Sequence, residues 1–221
     1  PKPVAVPVPV PAHRPTSIHD CGNPELVGTG ANSRASCWDD FGGGRGPVLV
    51  VVPAPPGGKS FAIGRYEVSN ADFARYCDAT RQCKVSAAAP GMPVTSVSIQ
   101  EAQSYLAWLS RQSGATYRLP TPGEWTYAAD AGTPGGEHHD ANCEKPGVAA
   151  TLLPIRSGEH NKWGLYNYVG NVQEWVRDGS GLTARGGDYT DSFSQCSPAT
   201  SRPQSGAPDA ATGFRVLREL K

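Results

Sequence analysis

A chain of 221 residues is long enough to bury a sizeable core as one large domain or two small ones, and its 26 Gly and 21 Pro point to many turns and modest regular structure. Lys plus Arg equals Asp plus Glu at 20 each, which excludes the whole-chain basic footprint of a nucleic-acid or anionic-membrane binder. The longest apolar run, Val48 to Val52, is far too short to span a bilayer, and nothing resembles a signal peptide.

Residues 1–20 open on PKPVAVPVPVPAHRP, a Pro/Val alternation that cannot donate a strand ladder and is expected to lie extended as a linker or stalk. The start at Pro1 rather than Met is what a processed protein or an excised domain gives, with a signal or membrane anchor expected upstream. Residues 21–221 are expected to form a single domain. Cys21 to Gly46 is polar and Gly-rich, so a bridge there would supply order that burial cannot. Val48 to Val52 reads as a buried strand ended by Pro53, and Phe61 to Val68 as a second strand. A helix follows with Asn70 as its expected cap and Phe73 and Tyr76 on its apolar edge. Ser98 and Glu101 form a capping box ahead of a helix whose Ile99, Ala102, Leu106 and Leu109 share one face, and Gly114 stops it. Tyr117 to Leu119 is extended. Thr121, Pro122 and Glu124 open a third helix, expected to reach about Gly132. From Thr133 the chain is mainly loop until WGLYNYVGNVQEWVRD, residues Trp163 to Asp178, an aromatic turn between extended segments. Thr183 to Tyr189 and Gly213 to Leu217 read as terminal strands.

Six cysteines without a C-x-x-C pair suit disulfides better than zinc. Closeness in sequence favours Cys77 with Cys83 and Cys21 with Cys37, leaving Cys143 with Cys196; six reduced thiols in a cytosolic protein are the alternative. Disulfides would mean a periplasmic or extracellular protein. Asn167, Asn171 and Glu174 cluster side-chain oxygens; Asn167 with Glu174 could hold a hard cation, whereas Asn171 reads as a cap of its own turn. His138 and His139 beside Asp140 lack helical metal spacing, His13 and His19 fall in the tail, and His160 reads as a packed or solvated ring. Ser-His-Asp order, a Walker loop and kinase signatures are absent from the sequence.

The ordered blocks YEVSNADFARYC, PVTSVSIQEAQSYLAWLS, YRLPTPGEWTYAA, WGLYNYVGNVQEW, ARGGDY and TGFRVLR resemble the formylglycine-generating-enzyme, or sulfatase-modifying-factor, family over roughly Pro47 to Arg218. The resemblance implies an irregular α+β fold related to C-type lectins, with few short strands, two to three helices and many loops. It also implies a calcium site with side-chain oxygens from Asn167 and Glu174 and carbonyls from Gly170 and Val172. The family's oxidases place two cysteines, with four residues between them, after a GGS-type block, a soft dithiol suited to Cu(I). Here the segment reads GGDYTDSFSQCS: Asp191 stands where the first cysteine belongs, Cys196 is the second, and Asp188 replaces the serine. A carboxylate is a hard ligand and no thiolate, so copper is not expected and the oxidase pair is degenerate. Gln173 stands where the family usually has Trp.

The loop polars Asp188, Tyr189, Asp191, Arg202 and Asp209 are the candidate lining of a ligand pocket. The expected function is a non-catalytic ligand-binding or sensing domain, similar to the extracytoplasmic sensors of bacterial membrane Ser/Thr kinases. A formylglycine-generating oxidase is the alternative. The expected partners are a small-molecule, peptide or protein ligand and an upstream membrane-anchored module, with no nucleic acid.

Overall fold

A computed structural model describes residues 18–32, 34–41, 44–83, 89–135, 141–179 and 181–221. The Pro/Val alternation, His13, His138 and His139 lie outside the described residues. In chain order the regular elements are β1 (Asp40–Phe41), β2 (Gly44–Arg45), β3 (Leu49–Val52), β4 (Phe61–Gly64), α1 (Asn70–Thr80), α2 (Ile99–Ser113), β5 (Tyr117–Arg118), α3 (Pro122–Ala129), β6 (Gln173–Asp178), β7 (Gly181–Arg185), β8 (Ser201–Pro203), β9 (Thr212–Gly213) and β10 (Leu217–Glu219).

β1 and β2 pair with each other. The first four-stranded sheet runs β3-β4-β10-β5 and is antiparallel throughout. Both of its faces are covered, which is why β3 is a continuous apolar run rather than an alternation. Leu49 and Val51 face a core that includes Phe73 of α1 and Tyr105 and Leu109 of α2, while Val50 and Val52 face Ala128 of α3 together with Trp163 and Leu165. Rings dominate the first core: Phe73, Tyr76, Tyr105, Trp108 and Phe214 meet at centroid distances of 5.3 to 6.4 Å. Each such side chain removed from water contributes roughly 1.5–3 kcal/mol. The second sheet runs β8-β7-β6-β9, antiparallel except for the parallel β6–β9 pair.

Helix starts follow their local chemistry. Both capping boxes form, Ser98 with Glu101 on α2 and Thr121 with Glu124 on α3. α1 departs by one residue: Ser69, not Asn70, takes the extended cap conformation and accepts the Asp72 N–H, and Asn70 is already helical. α3 ends at Ala129 rather than Gly132, because Ala131 turns left-handed at φ 47°. The expected strand over Phe61 to Val68 stops at Gly64, where the chain bends towards Val48, whose carbonyl accepts the Arg65 N–H. Thr183 to Tyr189 is paired only as far as Arg185. Of Gly213 to Leu217 only the ends are paired, Gly213 in β9 and Leu217 in β10, and the residues between them cross from one sheet to the other. Phe214 and Val216 enter the ring-rich core on that crossing, and Arg215 turns away from it to a buried carboxylate. Disulfides join Cys21 to Cys37, Cys77 to Cys83 and Cys143 to Cys196.

Candidate functional site

The stretch from Trp163 to Asp178 enters the fold through Asn161. Its side-chain oxygen accepts the N–H groups of Trp163 and Leu165, and its amide donates to the carbonyls of Ala128 and Ala129 at the end of α3. The His160 ring lies 5.2 Å from that of Tyr166, a packed position. The turn itself uses left-handed backbone at Asn167, Gly170 and Asn171. At Gly170 a side chain is impossible, since a Cβ would lie 2.5 Å from the Asn142 carbonyl oxygen.

This bend delivers Glu174 to the centre of the molecule. Arg215 clamps its carboxylate, Nε to Oε2 at 2.6 Å and Nη2 to Oε1, and Trp125 Nε1 donates to Oε2 at 2.6 Å. The other Arg215 donors reach the carbonyls of Gly64, Tyr166 and Asn167. Arg215 and Glu174 are 0% and 1% exposed. Burial opposes the Arg215 charge, and Glu174 more than offsets it, holding the guanidinium pKa above its ordinary value. Glu67 lies alongside, accepting from the amides of Asn171 at 2.8 Å and Asn167 at 3.1 Å. Burial pushes its pKa up to about 7 against the pull of Arg215. Asn171 also accepts from Asn142 and from the Leu153 N–H, so it caps its own turn and its neighbours.

Asn167, Gly170, Val172 and Glu174 are thus brought to one turn, but as arranged they do not fit a calcium ion. Both Glu174 oxygens are held by donors, the Asn167 side-chain nitrogen donates to Glu67 and its backbone carbonyl accepts from Arg215, and Arg215 already supplies the positive charge that a cation would bring. Arg215 and Trp125 are the functional partners that sequence reasoning missed. The available signal was an arginine inside the apolar TGFRVLR block, a position that demands a buried acid.

The second cluster gathers around Asp188 and Asp191. Arg202 bridges Asp188 at 3.2 Å and Asp191 at 2.5 Å, and Asp191 also accepts the Asp188 N–H. Asp188 further accepts from the backbone and hydroxyl of Thr190. Gln173 joins the cluster: its oxygen accepts from Arg202 at 3.4 Å and its amide donates to Thr212, whose hydroxyl donates to Asp209. Of the expected pocket residues, Asp188, Asp191 and Arg202 are in direct contact and Asp209 is linked through Thr212. Tyr189 belongs by its backbone, which donates to the Asn171 carbonyl. The acids are satisfied by one guanidinium, and Cys196 is held by Cys143.

Among the described residues, two four-stranded sheets of short strands, three α-helices and long loops stapled by three disulfides define an irregular α+β domain. A family model described as sulfatase-modifying factor enzyme 1-like domain matches residues 56–220, and the chain belongs to that family. It is 29% identical over 166 residues to a formylglycine-generating enzyme of Streptomyces coelicolor, covering 56% of this chain and 51% of that one. It is 31% identical over 131 residues to the serine/threonine-protein kinase pkn1 of Chlamydia caviae, covering 57% of this chain and 18% of the kinase. The chain therefore spans about half of the first relative and less of the second. Among solved structures, PvdO from Pseudomonas aeruginosa superposes with a TM-score of 0.66 at 26% identity, over 79% of this chain and 95% of PvdO.

Proposed function

We propose that the chain is a non-catalytic, extracytoplasmic ligand-binding or sensing domain of the sulfatase-modifying-factor family. One observation carries this reading: the position of the first oxidase cysteine is Asp191, ion-paired to Arg202, and Cys196 is tied into a disulfide. Neither group is a thiolate, so no soft dithiol is on hand to bind Cu(I) or to be oxidised with a substrate thiol. Three disulfides suit an oxidising compartment. The match to part of a serine/threonine-protein kinase supports a place as one module of a membrane signalling chain, with the Pro/Val-rich residues 1–20 as the spacer to an upstream anchored module.

The test is direct. The protein is incubated with copper and a peptide containing Cys-x-Pro-x-Arg, and the peptide mass is read. An unchanged mass is expected, and conversion of the cysteine to an aldehyde would establish the oxidase instead.

A further inference from the structure

On the side of the molecule where β2, the Gly64 bend and residues 154–166 meet, two adjoining cavities of about 570 and 470 Å³ share a wall made by Arg45, Val48, Tyr66 and Arg156. The smaller one is lined by Arg34, Arg45, Arg65 and Arg156 with His19, and by no carboxylate. In a chain whose charges balance, so one-sided a lining is a local positive field. Elsewhere arginines face acids: Arg75 meets Asp72, Arg118 meets Glu124 and Glu219, and Arg218 meets Asp39. Among the described residues none of the four cleft arginines is ion-paired.

Rings hold three of them instead. The guanidinium of Arg45 lies 4.1 Å from the Trp38 ring centre, that of Arg156 5.1 Å from Tyr66, and that of Arg65 5.6 Å from Tyr166. Stacking fixes the plane of a guanidinium while leaving its N–H edge free to donate. Arg65 makes the case independently. It is only 3% exposed, yet among the described residues its guanidinium makes a single hydrogen bond, to Ser36 Oγ at 2.9 Å. A buried charge without a counter-ion is costly, and the fold keeps one aimed at a cavity. Residues 1–17, which lead into Ile18 at the cleft, contain no Asp or Glu.

We propose that this arginine-and-ring cleft is an oxyanion-binding site for a small ligand carrying at least two phosphate or carboxylate groups, the inner one in the smaller cavity, which has no acid, and the outer one at the shared wall of Arg45 and Arg156 rather than in the larger cavity, which Glu67 and Asp72 line. The planar forks of Arg45 and Arg156 on the shared wall suit bidentate contact with either group, and Arg65 would neutralise the inner one. The inference rests on the reading of the domain as a ligand-binding module and names the chemistry of its ligand.

The experiment is titration calorimetry on the full chain with pyrophosphate and with citrate at constant ionic strength, with sodium chloride as the control. Saturable binding of one of them is expected, and which one binds separates a phosphate from a carboxylate source. Arg45→Gln and Arg156→Gln, both at exposed positions, should each weaken it about tenfold or more while leaving the ligand-free Tm unchanged. No binding above the chloride control, or wild-type affinity in both variants, would overturn the site. Its failure is distinct from that of the function: a peptide converted to aldehyde in the copper assay removes the non-catalytic reading whether or not anions bind.

Discussion

Arginine does opposite work in two regions of this molecule. In the Asp188–Asp191 cluster and in the buried centre, Arg202 and Arg215 are each closed by carboxylates, Asp188 with Asp191 and Glu174 respectively. In the cleft, Arg45, Arg65 and Arg156 are held by Trp38, Tyr166 and Tyr66. Carboxylate pairing consumes the donors, so those arginines are structural clamps. Ring stacking leaves the donors and the charge in place, so the others stay open to a ligand.

Breaking the deepest clamp has the largest expected effect. Glu174→Gln keeps the shape but strands the Arg215 guanidinium, which is 0% exposed. A loss of about 3–5 kcal/mol is expected in urea unfolding, the usual consequence of removing one partner of a buried pair. A loss below about 1 kcal/mol would mean that the carbonyls of Gly64, Tyr166 and Asn167 suffice to hold the charge. Calcium should raise the Tm of neither protein, because the carboxylate it needs is taken by Arg215 in the wild type and absent in the variant.

Glu67 lies at the border of the two regions, in the buried network and on the wall of the larger cavity. Arg215 and Glu174 act on it through charge, and Asn171 and Asn167 through hydrogen bonds. Its folded pKa of about 7 exceeds the ordinary 4.5, so the folded state holds this proton more tightly than the unfolded chain does. The resulting stabilisation is fully present below about pH 4.5 and is lost as pH rises through 7. It amounts to about 3 kcal/mol across that window. Unfolding free energies of wild type and Glu67→Gln at pH 5 and pH 8 test this. The wild type should lose about 2.5 kcal/mol more than the variant between those values, and equal losses would place the titration elsewhere.

What could be read from the sequence depended on how local the physics is. The capping boxes of α2 and α3 close within four residues, and both helices start where Ser98 and Thr121 place them. α1 slipped by one residue because Ser69 and Asn70 are both competent caps, and only the backbone path chooses between them. The crossing at Phe214 to Val216 looked like a strand because its alternation is real, but the residue that alternates outwards, Arg215, is committed to an acid 41 positions away. The same distance hid the calcium misfit: the ligand pattern is legible around Glu174, and its counter-charge is not. The cleft left no trace in composition, since Arg34, Arg45, Arg65 and Arg156 are scattered through the chain and converge only through the fold.

A smaller effect comes from the clamp at the Asp188–Asp191 cluster. Arg202→Gln leaves Asp188 and Asp191 facing each other with side-chain exposures of 7% and 13%. Arg202 itself is 35% exposed, so solvent already screens part of the interaction, and a loss of about 1 kcal/mol is expected. The anion titration should be unchanged in this variant, because Arg202 lines neither cleft cavity. Pyrophosphate or citrate affinity that fell with Arg202 would relocate the ligand to the Asp188–Asp191 cluster and erase the contrast between the two regions.

The smallest stability effect is expected at Arg156, and its direction is the sharpest discriminator. A residue recruited to hold the fold leaves a deficit when it is removed, as Arg202 should. Arg156 has no ion pair among the described residues, touches Tyr66 only through its ring face, and stands among Arg34, Arg45 and Arg65. Removing its charge relieves repulsion while forfeiting one exposed cation–π contact, two small effects of opposite sign. The Tm of Arg156→Gln should therefore equal that of the wild type at ordinary salt and slightly exceed it at low salt, where repulsion between the cleft arginines is least screened. A Tm that falls at low salt would show that Arg156 is a clamp after all, paired through a contact that ring stacking does not account for.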